Sequence, residues 1–128
     1  MITEDFKLNI WIPGNVPSSK NGKIWTGKFL VHSKACRRYI KETRKYYSDP
    51  ELKKLFIKAT KTLPIDVYFQ FYRNSKRKFD FINAAQIVQD LMVKHGWIED
   101  DNADIINPHF LPYIYDKNEP GVSIKIAK

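Results

Sequence analysis

Between Ile65 and Tyr72 apolar and polar side chains alternate without a break, Ile65, Val67, Phe69 and Phe71 against Asp66, Tyr68, Gln70 and Tyr72. Successive side chains of a strand point to opposite sides, so this pattern fits a strand with one face on a core and one face on solvent. A basic link, Arg73-Asn74-Ser75-Lys76-Arg77-Lys78, follows it, and two more segments repeat the alternation. Phe6, Leu8, Ile10 and Ile12 alternate with Lys7, Asn9 and Trp11 until Pro13-Gly14, and Val122, Ile124 and Ile126 alternate with Ser123 and Lys125. Residues 105 to 115 are apolar and aromatic but carry Pro108 and Pro112. Proline has no N–H for a ladder, so any strand there is short or on an edge. Ile24 to His32 reads as a short hairpin turning at Thr26-Gly27, after an irregular polar connection over 13–23.

Helical spacing appears three times. Ser33 stands where an N-cap should, and Cys36, Tyr39, Ile40, Thr43 and Tyr46 follow as one stripe, with Lys34, Arg37, Arg38, Lys41, Arg44 and Lys45 on the remaining circumference. Asp49-Pro50-Glu51 is a second start signal, for a helix to about Lys58 that buries Leu52, Leu55, Phe56 and Ala59. From Asp80 a third helix runs to about His95, with Phe81, Ala84, Ala85, Val88, Leu91, Met92 and His95 as its apolar stripe and Gly96 as its left-handed stop. The order β, β, α, α, β, α, β predicts an α/β fold of the α+β type: one domain over 1–128, a small mixed sheet packed by three helices. A chain of this size buries enough surface to fold without disulfides or structural metal.

Charge is distributed unevenly. The 22 Lys and Arg against 14 Asp and Glu give +8, but residues 20 to 78 alone carry +13 and residues 79 to 128 carry −4. A front this basic attracts polyanions by Coulomb steering and counterion release, which makes nucleic acid the leading partner class; a solubilising lysine face is the plainer alternative. A single cysteine, Cys36, points to a reducing, cytoplasmic setting and to a small core residue. His32, His95 and His109 share no ligand spacing, and no apolar run reaches membrane-spanning length. Trp97, just past the stop glycine, reads as a core residue.

The stretch from Lys76 to Asp104 concentrates the candidate chemistry. Asp80, Asn83 and Asp90 fall within about a third of the helix circumference at ~100° per residue. Asp100-Asp101 follows a glycine-terminated turn that is able to bring it back toward the helix. Oxygen ligands converging from two elements suit Mg²⁺, which orients a phosphate and lowers the pKa of an attacking water. The same residues also read as a helix cap, a solvated helix position and a polar turn, and spacing alone leaves both open.

This segment resembles the signature of the RusA family of Holliday junction resolvases, in which an Asp-x-Asp-Asn run opens a helix, a Lys and an Asp follow on it, and a Gly precedes a paired Asp-Asp. Laid on this chain without gaps, the first Asp falls on Asp80, the Asn on Asn83, the later helical Asp on Asp90, the Gly on Gly96 and the pair on Asp100-Asp101. Pro17-Ser18-Ser19-Lys20-Asn21 also resembles the family's Pro-Ser-x-Asn loop, with one residue extra. The family's second Asp falls on Ile82 and its Lys on Gln86. Ile cannot bind a metal, and Gln keeps reach and hydrogen bonding but no charge.

The resemblance implies a RusA-like domain that cuts branched DNA by Mg²⁺-dependent hydrolysis, with Mn²⁺ as a substitute ion, in recombination and repair. It implies a homodimer and a bacterial, prophage or phage setting. On this chain Asp80 and Asp101, with Asp100, would hold metal, and Asn83 would fix a ligand or substrate oxygen. Lys20, Asn21, Lys23, Arg37, Arg38, Lys41, Arg44, Lys45, Lys76, Arg77 and Lys78 would contact phosphates, with Tyr46 and Tyr47 stacking on unpaired bases. The departures at Ile82 and Gln86 equally suit a protein of the same fold that binds branched or single-stranded DNA without cutting it.

Overall fold

The computed structural model describes residues 5–18, 23–25 and 30–128. Among these residues the order is β1 (Phe6–Pro13), β2 (Lys23–Trp25), β3 (Leu30–His32), α1 (Lys34–Tyr47), α2 (Pro50–Ala59), β4 (Ile65–Arg73), α3 (Phe81–Lys94), β5 (Ile106–Phe110), β6 (Ile114–Tyr115) and β7 (Gly121–Ala127). The architecture is the mixed α+β domain that the patterns predict. Local chemistry sets the helix ends. The Ser33 hydroxyl accepts the Cys36 N–H at 3.2 Å, and the Asp49 carboxylate accepts the Glu51 N–H at 2.9 Å, each satisfying a donor that the first turn leaves open. Gly96 adopts φ +78°, and the Trp97 and Ile98 N–H groups turn back onto the Met92 carbonyl at 2.8 and 3.5 Å.

The main sheet runs β1-β7-β4-β5, with β6 beside β4 beyond β5. β7 is antiparallel to both neighbours, so that Ile124 lies opposite Ile10 on one side and Phe69 on the other. β4 and β5 are parallel, Ile65 opposite Ile106 and Phe69 opposite Phe110, because α3 carries the chain back between them. Pro108 sits in β5, a short strand on the sheet's margin, where a missing N–H costs little. β2 and β3 pair as a separate two-stranded ribbon, Ile24 opposite Val31; the expected Thr26-Gly27 turn lies outside the described residues.

Ile10, Ile12, Val67, Phe69, Phe71, Val122 and Ile124 form the sheet side of one core, against Tyr39, Tyr47, Phe56, Val88 and Met92 from the helices. Cys36 and Trp97 are buried as expected, and the Trp97 indole donates to the Tyr47 carbonyl at 2.8 Å. His95 closes α3 half-buried. Three expectations need correction. Tyr47, expected to stack on bases, is fully buried, because the helix turns its Cys36, Tyr39, Thr43 and Tyr47 row inward. Leu55 is 49% exposed, and Phe56 is the buried side chain of α2. Arg73 belongs to β4, not to the basic link: the alternation from Ile65 continues inward through it, leaving it 7% exposed.

On the other face of the sheet aromatic rings cover one another. Trp11 and Tyr72 meet edge-on at 5.0 Å, Phe6 and Tyr68 at 5.3 Å, and His109 stacks on Tyr68 at 4.4 Å. Trp11 lies so close over Gly121 that a Cβ there would fall 2.5 Å from its ring.

Candidate nucleic-acid interface

α1 owes its charge pattern to amphipathicity: the inward row is filled, so every cation is turned out. Arg37, Arg38, Lys41, Arg44 and Lys45 are all exposed. Among the described residues no Lys or Arg makes an ion pair; the one contact between a carboxylate and a basic side chain is the hydrogen bond between His109 Nε2 and Asp66 Oδ1, at 2.9 Å. Cations without carboxylate partners keep their full attraction for phosphate. Lys45 lies 5.2 Å over the half-buried Tyr46 ring, so of the two expected tyrosines Tyr46 alone has a surface to offer. Lys20 and Asn21 lie outside the described residues, and Lys23 opens β2.

A second basic group follows β4. Lys76, Arg77 and Lys78 are exposed, and Lys76 sits 5.1 Å over the Tyr115 ring. Between this link and α3 the chain is clamped by aromatics: Phe79 meets Phe81 at 5.2 Å and Tyr113 at 5.1 Å, and Phe81 stacks on Phe110 at 5.2 Å. The Arg73 guanidinium lies 4.4 Å from the Phe79 ring, donates to the Val16 carbonyl, and reaches the Ser18 hydroxyl at 3.2 Å. Burial lowers its pKa from the ordinary arginine value. Arg73 thus ties the Pro17-Ser18 loop to the entry of α3. Sequence reasoning placed it in the basic run, although its position in the alternation was the signal for an inward side chain.

Asp80 caps α3 with its backbone only: its carboxylate is exposed and makes no cap bond to the helix. Asn83 is half-buried one turn later, while Ile82, where the resemblance expects an Asp, is 69% exposed. Gln86, in the place of the expected Lys, donates to Asp90 at 2.8 Å and so joins the two positions along the helix. Asp100 and Asp101 follow the turn at the other end. That turn returns to the last turn of α3, whereas Asp80 opens the first, and a 14-residue helix is roughly 21 Å long. The Asn102 amide at 2.8 Å, helped by the Asp101 backbone, holds the Asp100 carboxyl below the usual carboxylate range. Among the described residues no three His, Cys, Asp or Glu side chains converge into a group that would hold a metal ion. The donor set is therefore two separate carboxylate positions and not a closed cage. The convergence of Asp80 with Asp100-Asp101 expected from the spacing is not met within one chain, and a hydrated Mg²⁺ with a substrate phosphate would be held at one position or the other, not shared between them.

A cleft of about 490 Å³ separates the Pro13–Pro17 segment from α1 and reaches Asn74, the first residue of the link. Arg38 and Lys45 of the first basic group line it. Among the described residues no helix is long and apolar enough to cross a membrane. The chain matches neither a model of a known protein family nor a curated protein.

Proposed function

We propose that the chain is a Mg²⁺-dependent, structure-selective endodeoxyribonuclease of the RusA kind, acting as a homodimer on branched DNA. The observation that carries the reading is the exposed set of cations, unpaired among the described residues, on α1, where Arg38 and Lys45 line the cleft, and at Lys76–Lys78, which lead into Asp80. α1 and the link hold phosphates, and the Tyr46 and Tyr115 rings beside Lys45 and Lys76 offer faces to unpaired bases. Asp80 at one end of α3, or Asp100 with Asp101 past the other, would hold metal together with a substrate phosphate, and Asn83 lies within a turn of Asp80 to orient a ligand oxygen. When bound, Mg²⁺ supplies an activated water and charge for the leaving oxygen. A cytoplasmic, bacterial or phage setting belongs to the same reading.

Synthetic four-way junctions test it. Wild type cuts them with Mg²⁺ or Mn²⁺, and Asp101→Asn does not; a wild type inert with both ions across a range of pH sinks the enzyme reading. The exposed Ile82 and the Gln86-to-Asp90 bond favour a second reading, a protein of the same fold that binds branched or single-stranded DNA without cutting. The double variant Ile82→Asp, Gln86→Lys separates the two: cleavage by the variant alone supports the binder, and equal cleavage supports the nuclease.

A further inference from the structure

The cleft between the Pro13–Pro17 segment and α1 has a wall that is fixed before any ligand arrives. The Gly14 N–H donates to the Pro120 carbonyl at 2.9 Å, the Asn74 N–H donates to the Asn15 side-chain oxygen at 3.1 Å, and Arg73 holds the Val16 carbonyl. Gly14, at φ +116°, rests 3.7 Å from Tyr39 and Thr43, with spacing measured from an added Cβ. Tyr39 is in turn bonded to the buried Tyr47 hydroxyl at 2.9 Å. Asn15 accepts the Asn74 N–H with its oxygen, and its amide hydrogens, which make no bond among the described residues, are donors for a ligand. The cleft's volume lies in the usual range of small-molecule sites, roughly 300–1,000 Å³.

The opposite wall has an unexpected charge. α1 carries one acidic residue among six cations, Glu42, and that residue lines the cleft with Arg38 and Lys45. It stands one turn after Arg38, yet among the described residues it makes no ion pair. On a surface meant only for phosphates a lone carboxylate costs affinity by repulsion. A nucleobase changes that balance, because the N–H groups of its pairing edge are donors that a carboxylate accepts, as in the acid-to-cytosine amino contact. Cations flanking a carboxylate, with amide donors across the gap, match one nucleotide: phosphate to Arg38 and Lys45, base edge to Glu42 and Asn15.

We propose that this cleft receives a single unstacked nucleotide of a DNA strand at a branch point, with Glu42 selecting a base that carries an amino group. The inference rests on the DNA-binding reading above and holds whether or not the strand is cut. Taking one base out of the stack is cheapest where pairing is already interrupted, so the site adds a preference for branches over plain duplex.

Fluorescence anisotropy on junctions with one unpaired nucleotide at the branch, dC, dT or abasic, tests it against a fully paired junction and a duplex of equal length. Wild type should favour dC over dT by about tenfold, the scale of one good base-edge contact. Glu42→Ala should erase that ratio, and Ala35→Trp, which fills the cleft mouth, should bring dC down to the abasic level while duplex binding persists. Equal affinity for dC and dT in wild type, or a ratio that survives Glu42→Ala, overturns the proposal while paired junctions still bind. Absence of binding to any DNA overturns the underlying reading instead. Titration with dCMP alone distinguishes the source: dCMP that binds through Glu42 with no branch preference in the DNA series assigns the site to free nucleotides and overturns the strand proposal.

Discussion

Arg73 offers the sharpest test of how the loop and the α3 entry are held together. It is 7% exposed, yet it carries a full charge, two hydrogen-bond acceptors on the Val16–Ser18 segment and a ring beneath its guanidinium. Each bond from a charged donor contributes about 1.5–3 kcal/mol. The stack on Phe79 adds about 1 kcal/mol. Against these stands the unpartnered Nε, buried without a hydrogen bond among the described residues, at a cost of roughly 1–3 kcal/mol. Arg73→Ala should therefore lose about 3 kcal/mol, since it also strands the Val16 carbonyl and empties the space of the aliphatic stem. A domain of this length is stable by roughly 6–19 kcal/mol, so the variant still folds and the loss is measurable by urea titration. Arg73→Lys should recover about half, because an ammonium reaches one acceptor but cannot fork to two. A loss below about 1 kcal/mol for Arg73→Ala, or Arg73→Met as stable as wild type, refutes the claim that the fork organises this segment.

Two further predictions concern the sheet and the helix end. Gly121→Ala places a methyl 2.5 Å from the Trp11 ring and 2.7 Å from the Ile12 carbonyl, so thermal melts should register a loss of about 1–3 kcal/mol. Adding Trp11→Ala should relieve only the ring clash, and full recovery in the double variant would contradict the backbone contact. His95 has its pKa lowered by burial first and by Lys94, Arg44 and Lys53 after it. The unfolded chain therefore takes up the proton more readily than the fold, and stability falls as pH drops through the ordinary histidine range, near ~6.5, to the lower folded value. The urea midpoint of wild type should rise between pH 5 and pH 8 by more than that of His95→Gln; identical rises would remove His95 as the cause.

How far the fold was legible depended on whether information was local. β1, β4 and β7 follow from period-two alternation, and the ends of α1, α2 and α3 from Ser33, Asp49 and Gly96, because caps and stops act within one turn. Tyr47 was misplaced because its neighbour Tyr46 fits the stripe about as well, and packing against Trp97 decided between them. Leu55 was misplaced for a related reason, since a ten-residue helix with four apolar candidates buries fully only the one facing the core. Helical-wheel counting put Asp80, Asn83 and Asp90 on a shared arc correctly in principle, but it says nothing about which end of the helix a later turn returns to. That is why Asp100 and Asp101 stand past the far end of α3. Glu42 drew no notice in the sequence because its meaning comes from the Pro13–Pro17 segment facing it across the cleft.

The position of β7 has a kinetic consequence. The strand between β1 and β4 is the last of the set in chain order, and its registers join Phe6 to Ala127 and Phe69 to Ile124. The β1–β7 pairing therefore spans nearly the whole chain and the β4–β7 pairing close to half of it, so both must wait for the closure of long loops, the kind of topology that slows folding. On the ribosome the three helices and β4 would emerge first, with both flanks of the future central strand unpaired. Until Gly121–Ala127 arrives, β1 and β4 are two open edges, exposed to pairing with other chains as readily as with their own.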